Sequence, residues 1–320
     1  MNTALSKFLQ LFIPLALGVF LIWYFYSKFT PEQWEELVFH FKNANYFIVI
    51  ASVLMSVLSH FIRAYRWNYM LTPLGYNPKL LNNFFAVSAA YFMNLFIPKS
   101  GEVSRAVILD KYENVPFEKG FGTIISERVV DLVFLLLFTL LAVVLQFEEL
   151  NSYLAQLIPF KKLALAIAIL LIGFAAFYLF LKKSKGSIST KIKTFVKGLK
   201  DGIFSILKMK KKRAFIFHSL LIWALYLLSF YTATHALPET SIISFGTIII
   251  TFVVGSFTFA FTNSGLGYYP LAIAGILLIF GIPETVGTAL GWMVWTSNII
   301  YIIISGVLSF VLLPIYNRNK

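Results

Sequence analysis

Apolar residues run unbroken for roughly 18 positions or more at several places in this chain, which limits the fold more than any other feature. Runs of that length suit helices that cross a bilayer. They lack the in–out alternation of an outer-membrane strand, so a membrane β-barrel is excluded. With 59% hydrophobic residues over 320 positions, a water-soluble globular domain is excluded as well. The chain has no cysteine, which removes disulfides, Cys-based zinc sites and thiol nucleophiles from consideration.

Taken in order, the runs predict spans at residues 8–26, 46–71, 121–147, 161–181, 214–237 and 287–315. The first is read as a retained span rather than a cleaved leader, because it ends in Trp23, Tyr24, Phe25 and Tyr26 with no small-residue cleavage site. Residues 27–45 are read as an outer connection and 71–83 (LTPLGYNPKLLNN) as a turn-rich cytoplasmic one.

Charge placement sets the expected orientation. Residues 182–213 carry twelve Lys and Arg against the single Asp201, so this stretch supplies +11 of the net +13. A lysine-rich connection between apolar runs marks the cytoplasmic side, and nucleic acid is not an expected partner. Ile188, Ile192, Phe195, Leu199, Ile203 and Ile206 recur there at spacings of three and four. That pattern predicts an amphipathic helix lying on an anionic leaflet.

Two apolar segments are too short to span. One runs from Phe84 to Ile97 and is broken by Pro98, Ser100 and Gly101; the other, 271–282, follows TNSGLGYYP. Each is read as an arm of a re-entrant hairpin, the first entering from inside (80–120) and the second from outside (242–284). The alternative for the first is a short helix, a loop and an interfacial charge cluster. Irregular backbone at membrane depth persists only where protein or cavity water satisfies its polar groups. The fold expected is therefore an all-α polytopic membrane protein with about six full spans and two hairpins in one domain (1–320). Its halves, 46–147 and 214–315, would form an inverted repeat around the linker at 182–213, an arrangement typical of transporters with a site at the midplane.

Charges cluster around the first break. Lys99, Glu102, Arg105 and Asp110 follow it, and Glu127, Arg128 and Asp131 open the next run. Arg63 and Arg66 share one face of the second span, Arg63 roughly 12 Å from its end at 1.5 Å per residue. They either snorkel to the interface or pair with Glu102, Glu127, Asp131 or a lipid phosphate. At the second tip Gly265 and Gly267 allow close backbone approach, and the helix start beyond them favours an anion. An SGLG sequence alone also reads as a plain turn.

The chain resembles the family of the transmembrane region of lysylphosphatidylglycerol synthases, a flippase-like membrane domain. The resemblance rests on Arg63-x-x-Arg66-Trp67, on Tyr91-Phe92-x-Asn94-x-x-x-Pro98-x-x-Gly101-Glu102-x-x-Arg105, on Glu127-Arg128-x-x-Asp131 and, more loosely, on Gly265-x-Gly267. It implies movement of lipids such as aminoacylated phosphatidylglycerol between leaflets, and related modules occur with prenyl-phosphate glycosylation. Thr262, Asn263, Tyr268, Tyr269 and Pro270 depart from the family's glycine-rich second tip. The sequence ends at Lys320, so the synthases' soluble aminoacyl-transferase domain is not expected here.

The candidate substrate-binding set is Arg63, Arg66, Asn94, Pro98, Gly101, Glu102, Arg105, Glu127, Arg128, Asp131, Asn263, Ser264, Gly265 and Gly267. The leading expectation is a flippase-like transporter for an anionic phospholipid or polyprenyl-phosphate-linked lipid in the cell membrane, with both termini cytoplasmic. No cofactor and no metal is expected. Expected partners are lipids with anionic head groups, and a homo-oligomer or a separate soluble transferase is also open. The rival is a membrane-embedded transferase using Glu127 and Asp131 as acid and base, or an accessory subunit of a lipid-modifying enzyme. His40, His60, His218 and His235 form no ligand spacing. Topology is directly testable because the chain lacks cysteine. Ser100→Cys is expected to react with a cytoplasmic-side thiol reagent and Ser264→Cys with an external one; labelling of both from one side contradicts the inverted repeat.

Overall fold

The computed structural model describes residues 29–149, 209–262 and 264–318, with isolated positions between 16 and 27. The expected span at 161–181 and nearly all of the lysine-rich linker lie outside the described residues. So do most of the span at 8–26 and Asn263. Among the described residues every regular element is a helix.

Helix α1 (Pro31–Asn43) occupies what reads from sequence as a plain connection. Its start was legible: Thr30 accepts from Gln33 N at 3.3 Å, Gln33 Oε1 accepts from Thr30 N at 3.0 Å, and Pro31 sits at the first helical position. Helix α2 (Tyr46–Leu71) matches the expected span end to end. Asn45 caps it, and Pro73 with Gly75 at φ +91° turns the chain through a short 3-10 segment.

Helix α3 (Leu80–Phe96) begins before the expected apolar segment, because Asn82 and Asn83 are buried inside it and their amide nitrogens find acceptors. Asn83 donates to Asn68 Oδ1 at 2.7 Å, while Asn82 and Asn317 exchange two amide hydrogen bonds of 2.9 Å. The stretch 71–83 is therefore not all loop. Ile97 is extended ahead of Pro98, Lys99 takes φ +62°, and α4 (Ser100–Glu113) returns antiparallel. At the tip a Cβ on Gly101 would collide with the carbonyl oxygen of Ala90, so only glycine allows this approach. At the base Glu113 accepts from Lys79 N at 3.1 Å.

Helix α5 (Phe117–Leu145) starts four residues before the expected span, behind Pro116. Helices α6 (Lys212–Thr234), α7 (Pro238–Ser241), α8 (Phe245–Phe261), α9 (Tyr269–Ile279) and α10 (Glu284–Tyr316) follow. The long helices α2, α5, α6 and α10 have the length and apolar composition to cross a membrane, whereas α3, α8 and α9 are shorter. At 1.5 Å per residue the 17-residue arms reach about 25 Å and α9 about 16 Å, less than a hydrocarbon core of about 30 Å.

Helices α2 and α6 form an antiparallel central pair. Asn45 N donates to Ala236 O at 2.9 Å, Ser229 Oγ donates to Ser52 O at 2.7 Å, and Ser56 and Ser229 hydroxyls lie 3.0 Å apart. Small polar residues let the backbones approach where lipid supplies no hydrophobic drive. Around this pair α3 packs on α2, α4 and α10, and α8 packs on α6, α9 and α5; α4 lies on α5 and α9 on α10. One apolar core gathers Trp67, Leu71, Ala89, Ala106, Leu109 and Ile124, and a second gathers Ile249, Phe252, Ile273, Leu277, Ala289 and Leu290. Leu136, Leu137, Leu140 and Val144 on α5, with Ile300, Ile304, Val307 and Val311 on α10, are exposed, as a lipid-facing belt requires.

Candidate functional site

The charged residues of α2, α4 and α5 meet in one buried cluster. Glu127, with no exposed surface, is its centre. Arg105 clasps it with two parallel hydrogen bonds, both 3.0 Å, and Arg63 Nη1 donates to its Oε1. Arg66 Nη2 lies 3.4 Å from the same oxygen. Asp131, one turn along α5, accepts from Arg63 at 2.8 Å and lies 3.5 Å from Arg66. Arg128 reaches Asp131 at 3.4 Å and Glu102 at 3.1 Å. Four guanidinium groups thus face three carboxylates, a balance of +1.

Arg63 and Arg66 therefore do not snorkel; their exposures are 2% and 0%. Arg105 pairs with Glu127, and Glu102 pairs with Arg128 rather than with the arginines of α2. Aromatic and hydroxyl groups complete the shell. Arg105 lies 3.7 Å over the ring of Trp67, whose Nε1 donates to Thr123 Oγ1 at 2.8 Å. From α6, Ser219 accepts from Arg66 at 2.7 Å and Tyr226 accepts from Arg63 at 3.2 Å. The Nε atoms of Arg63, Arg66 and Arg105 are buried and find no protein acceptor.

The first tip joins this cluster through α4, whose opening two turns carry Gly101, Glu102 and Arg105. Asn94 Oδ1 accepts from Gly101 N at 2.8 Å, so Asn94 holds the tip, while Pro98 is exposed at its outer edge. Lys99 Nζ donates to Ala260 O at 2.9 Å in the last turn of α8, bringing the two tips into contact. The second tip stands apart from the ions. Ser264 (φ +54°), Gly265 (φ +78°) and Gly267 (φ +74°) form tight left-handed turns, and Trp295 Nε1 donates to Ser264 O at 2.9 Å.

Tyr226, Ser219, His60 and Tyr301 belong to the same polar neighbourhood and were missed in the sequence. They lie on three helices at spacings that signal nothing. A cleft of about 800 Å³ opens beside Tyr301 between α1, α2 and α10, lined also by Trp34, Phe41, Val53, Trp292 and Ile300 among others. Among the described residues no charged side chain lines it.

Long apolar helices enclosing buried ions define a polytopic membrane protein. Residues 11–306 match the family described as the lysylphosphatidylglycerol synthase TM region, and the chain belongs to that family. It is 34% identical over 104 residues to a UPF0104 membrane protein of Methanocaldococcus jannaschii, covering 32% of this chain and 31% of that protein. It is 25% identical over 142 residues to a UPF0104 membrane protein of Pyrococcus horikoshii, covering 43% of this chain and 40% of the relative. The chain thus spans well under half the length of these curated relatives. No solved structure matches.

Removing one partner of a buried ion cluster leaves charges uncompensated and costs about 3–5 kcal/mol. Glu127→Ala is expected to lose that much stability in thermal unfolding of the detergent-purified protein. The swap Arg105→Glu with Glu127→Arg is expected not to rescue it, because the new arginine would face Arg63 and Arg66. An unchanged melting temperature, or rescue by the swap, contradicts a shared carboxylate.

Proposed function

We propose that the protein is a flippase-like transporter that moves an anionic phospholipid or a polyprenyl-phosphate-linked lipid between leaflets of the cell membrane. The observation that carries this reading is the buried arginine cluster with its balance of +1 at the base of the first tip. A monoanionic phosphate brings the complementary charge, and arginine forks suit its oxygens. Arg128 is the member best placed to meet it first, since its side chain is 36% exposed. The apolar cleft, which Tyr301 and His60 connect to the helix that carries Arg63, lies within the roughly 300–1,000 Å³ of typical ligand sites and suits hydrocarbon. Glu127 and Asp131 are engaged as counter-ions to arginine, which favours transport over acid–base chemistry on the lipid.

Transport is further supported by the way the elements pair. Exchanging α2 with α6, α3 with α8, α4 with α9 and α5 with α10 maps each major packing contact onto another. We read this as an inverted repeat within one domain, with hairpins entering from opposite sides and both termini cytoplasmic. The contact between Lys99 and Ala260 then closes the path between the tips, and Asn94, Pro98, Gly101, Ser264, Gly265 and Gly267 shape the gate.

The test is leaflet transfer in proteoliposomes carrying fluorescent phosphatidylglycerol or phosphatidylcholine, read by chemical bleaching of the outer leaflet. Wild type is expected to move phosphatidylglycerol faster than protein-free vesicles and faster than phosphatidylcholine. Arg128→Gln, which brings the cluster to neutrality, is expected to lose about tenfold of that preference, about 1.4 kcal/mol. Transfer no faster than in protein-free vesicles rejects the reading and favours an accessory subunit.

A further inference from the structure

His60 sits on α2 less than one turn before Arg63 and is 6% exposed. Its ring stacks on Tyr91 of α3, with centroids 4.2 Å apart and planes at 8°. Its Nδ1 is 3.0 Å from the hydroxyl of Tyr301 on α10. The Tyr91 hydroxyl is 3.3 Å from that of Tyr226 on α6, and Tyr226 accepts from Arg63 at 3.2 Å. Polar and stacking contacts thus run without a gap from Tyr301 to the arginine cluster, through α10, α2, α3 and α6. At its other end Tyr301 lines the 800 Å³ cleft. Among the described residues no charged side chain or histidine lines that cleft, and His60 is the histidine that Tyr301 connects to it.

We propose that His60 is a proton-binding site loaded from this cleft through Tyr301, and that its proton binds together with an anionic head group at the arginine cluster. The relay conserves atoms and charge: the Tyr301 hydroxyl passes its proton to Nδ1 and takes one from a hydronium ion entering the cleft, which leaves water. The imidazole becomes an imidazolium with two donors, and the phenol accepts from it. The groups facing His60 are Tyr301 on α10, Tyr91 on α3, Arg63 on its own helix and the charge of Arg128 on α5. A proton there adds a third cation beside those two arginines, against a cluster already at +1. A bound monoanion brings that cluster to zero, and the proton then restores its resting charge. Anion and proton therefore favour one another, and this linkage is reciprocal. The inference rests on the transport reading for the identity of the anion.

The test measures proton uptake by the full-length protein in detergent, with an indicator dye in weak buffer, as short-chain phosphatidylglycerol is added. Tryptophan fluorescence follows binding in the same sample. About one proton per bound lipid is expected for wild type. His60→Gln is expected to bind without uptake, and Tyr301→Phe to take up its proton at least about tenfold more slowly with binding retained. Binding without uptake in wild type, or uptake preserved in His60→Gln, overturns the proton site and leaves the transport reading standing. No binding by folded wild type overturns both. Should His60→Gln not fold, histidine NMR of wild type across about pH 5–8 decides: a His60 resonance that does not titrate with lipid bound overturns the proposal.

Discussion

One carboxylate holds the first half of this protein together. Glu127 sits on α5 and takes arginines from α2 and α4 at once, so the span, the returning arm of the hairpin and the following span converge on two oxygen atoms. A lone buried carboxylate is costly, and a lone buried arginine equally so. The cluster is tolerable only because each ion has several partners and Trp67, Ser219 and Tyr226 complete the shell. The polar contacts from α6 carry the same arrangement into the second half of the chain. Replacing one ion therefore disturbs four helices together.

The tips depend on that anchoring. Lys99 in a left-handed conformation and Gly101 against the Ala90 carbonyl are unfavourable unless the two arms are pressed together. Arg105 on Glu127 pins α4 to α5, while Asn82 and Asn317 pin the base of α3 to the end of α10. The exposed ammonium of Lys99 then falls on the last carbonyls of α8, where the helix dipole favours a cation.

Much of this was legible in the sequence. The span at Tyr46–Leu71 and the break after Ile97 followed from run length and from proline and glycine chemistry, which act locally. Arginines on one face of α2 left snorkelling and pairing both open, and their burial decides for pairing. Which carboxylate each arginine would find was not legible, because Glu102, Glu127 and Asp131 offer the same charge and only the packing of α4 on α5 decides among them. The early start of α3 was hidden because Asn82 and Asn83 look like loop residues until Asn317 and Asn68 appear beside them. Helix α1 carried a readable capping box but no apolar run. His60, Tyr226 and Tyr301 have no sequence signature at all; they matter through neighbours that lie 135 to 241 positions away from their partners.

The central claim is that the arginine cluster exists to meet a lipid phosphate. Mass spectrometry of lipids copurifying with wild type, Arg63→Ala and Arg105→Ala, each confirmed as folded by size exclusion, tests it most directly. The account predicts one enriched class of anionic or prenyl-phosphate lipid with wild type, lost in both variants. A bulk-membrane profile that neither substitution alters would contradict it.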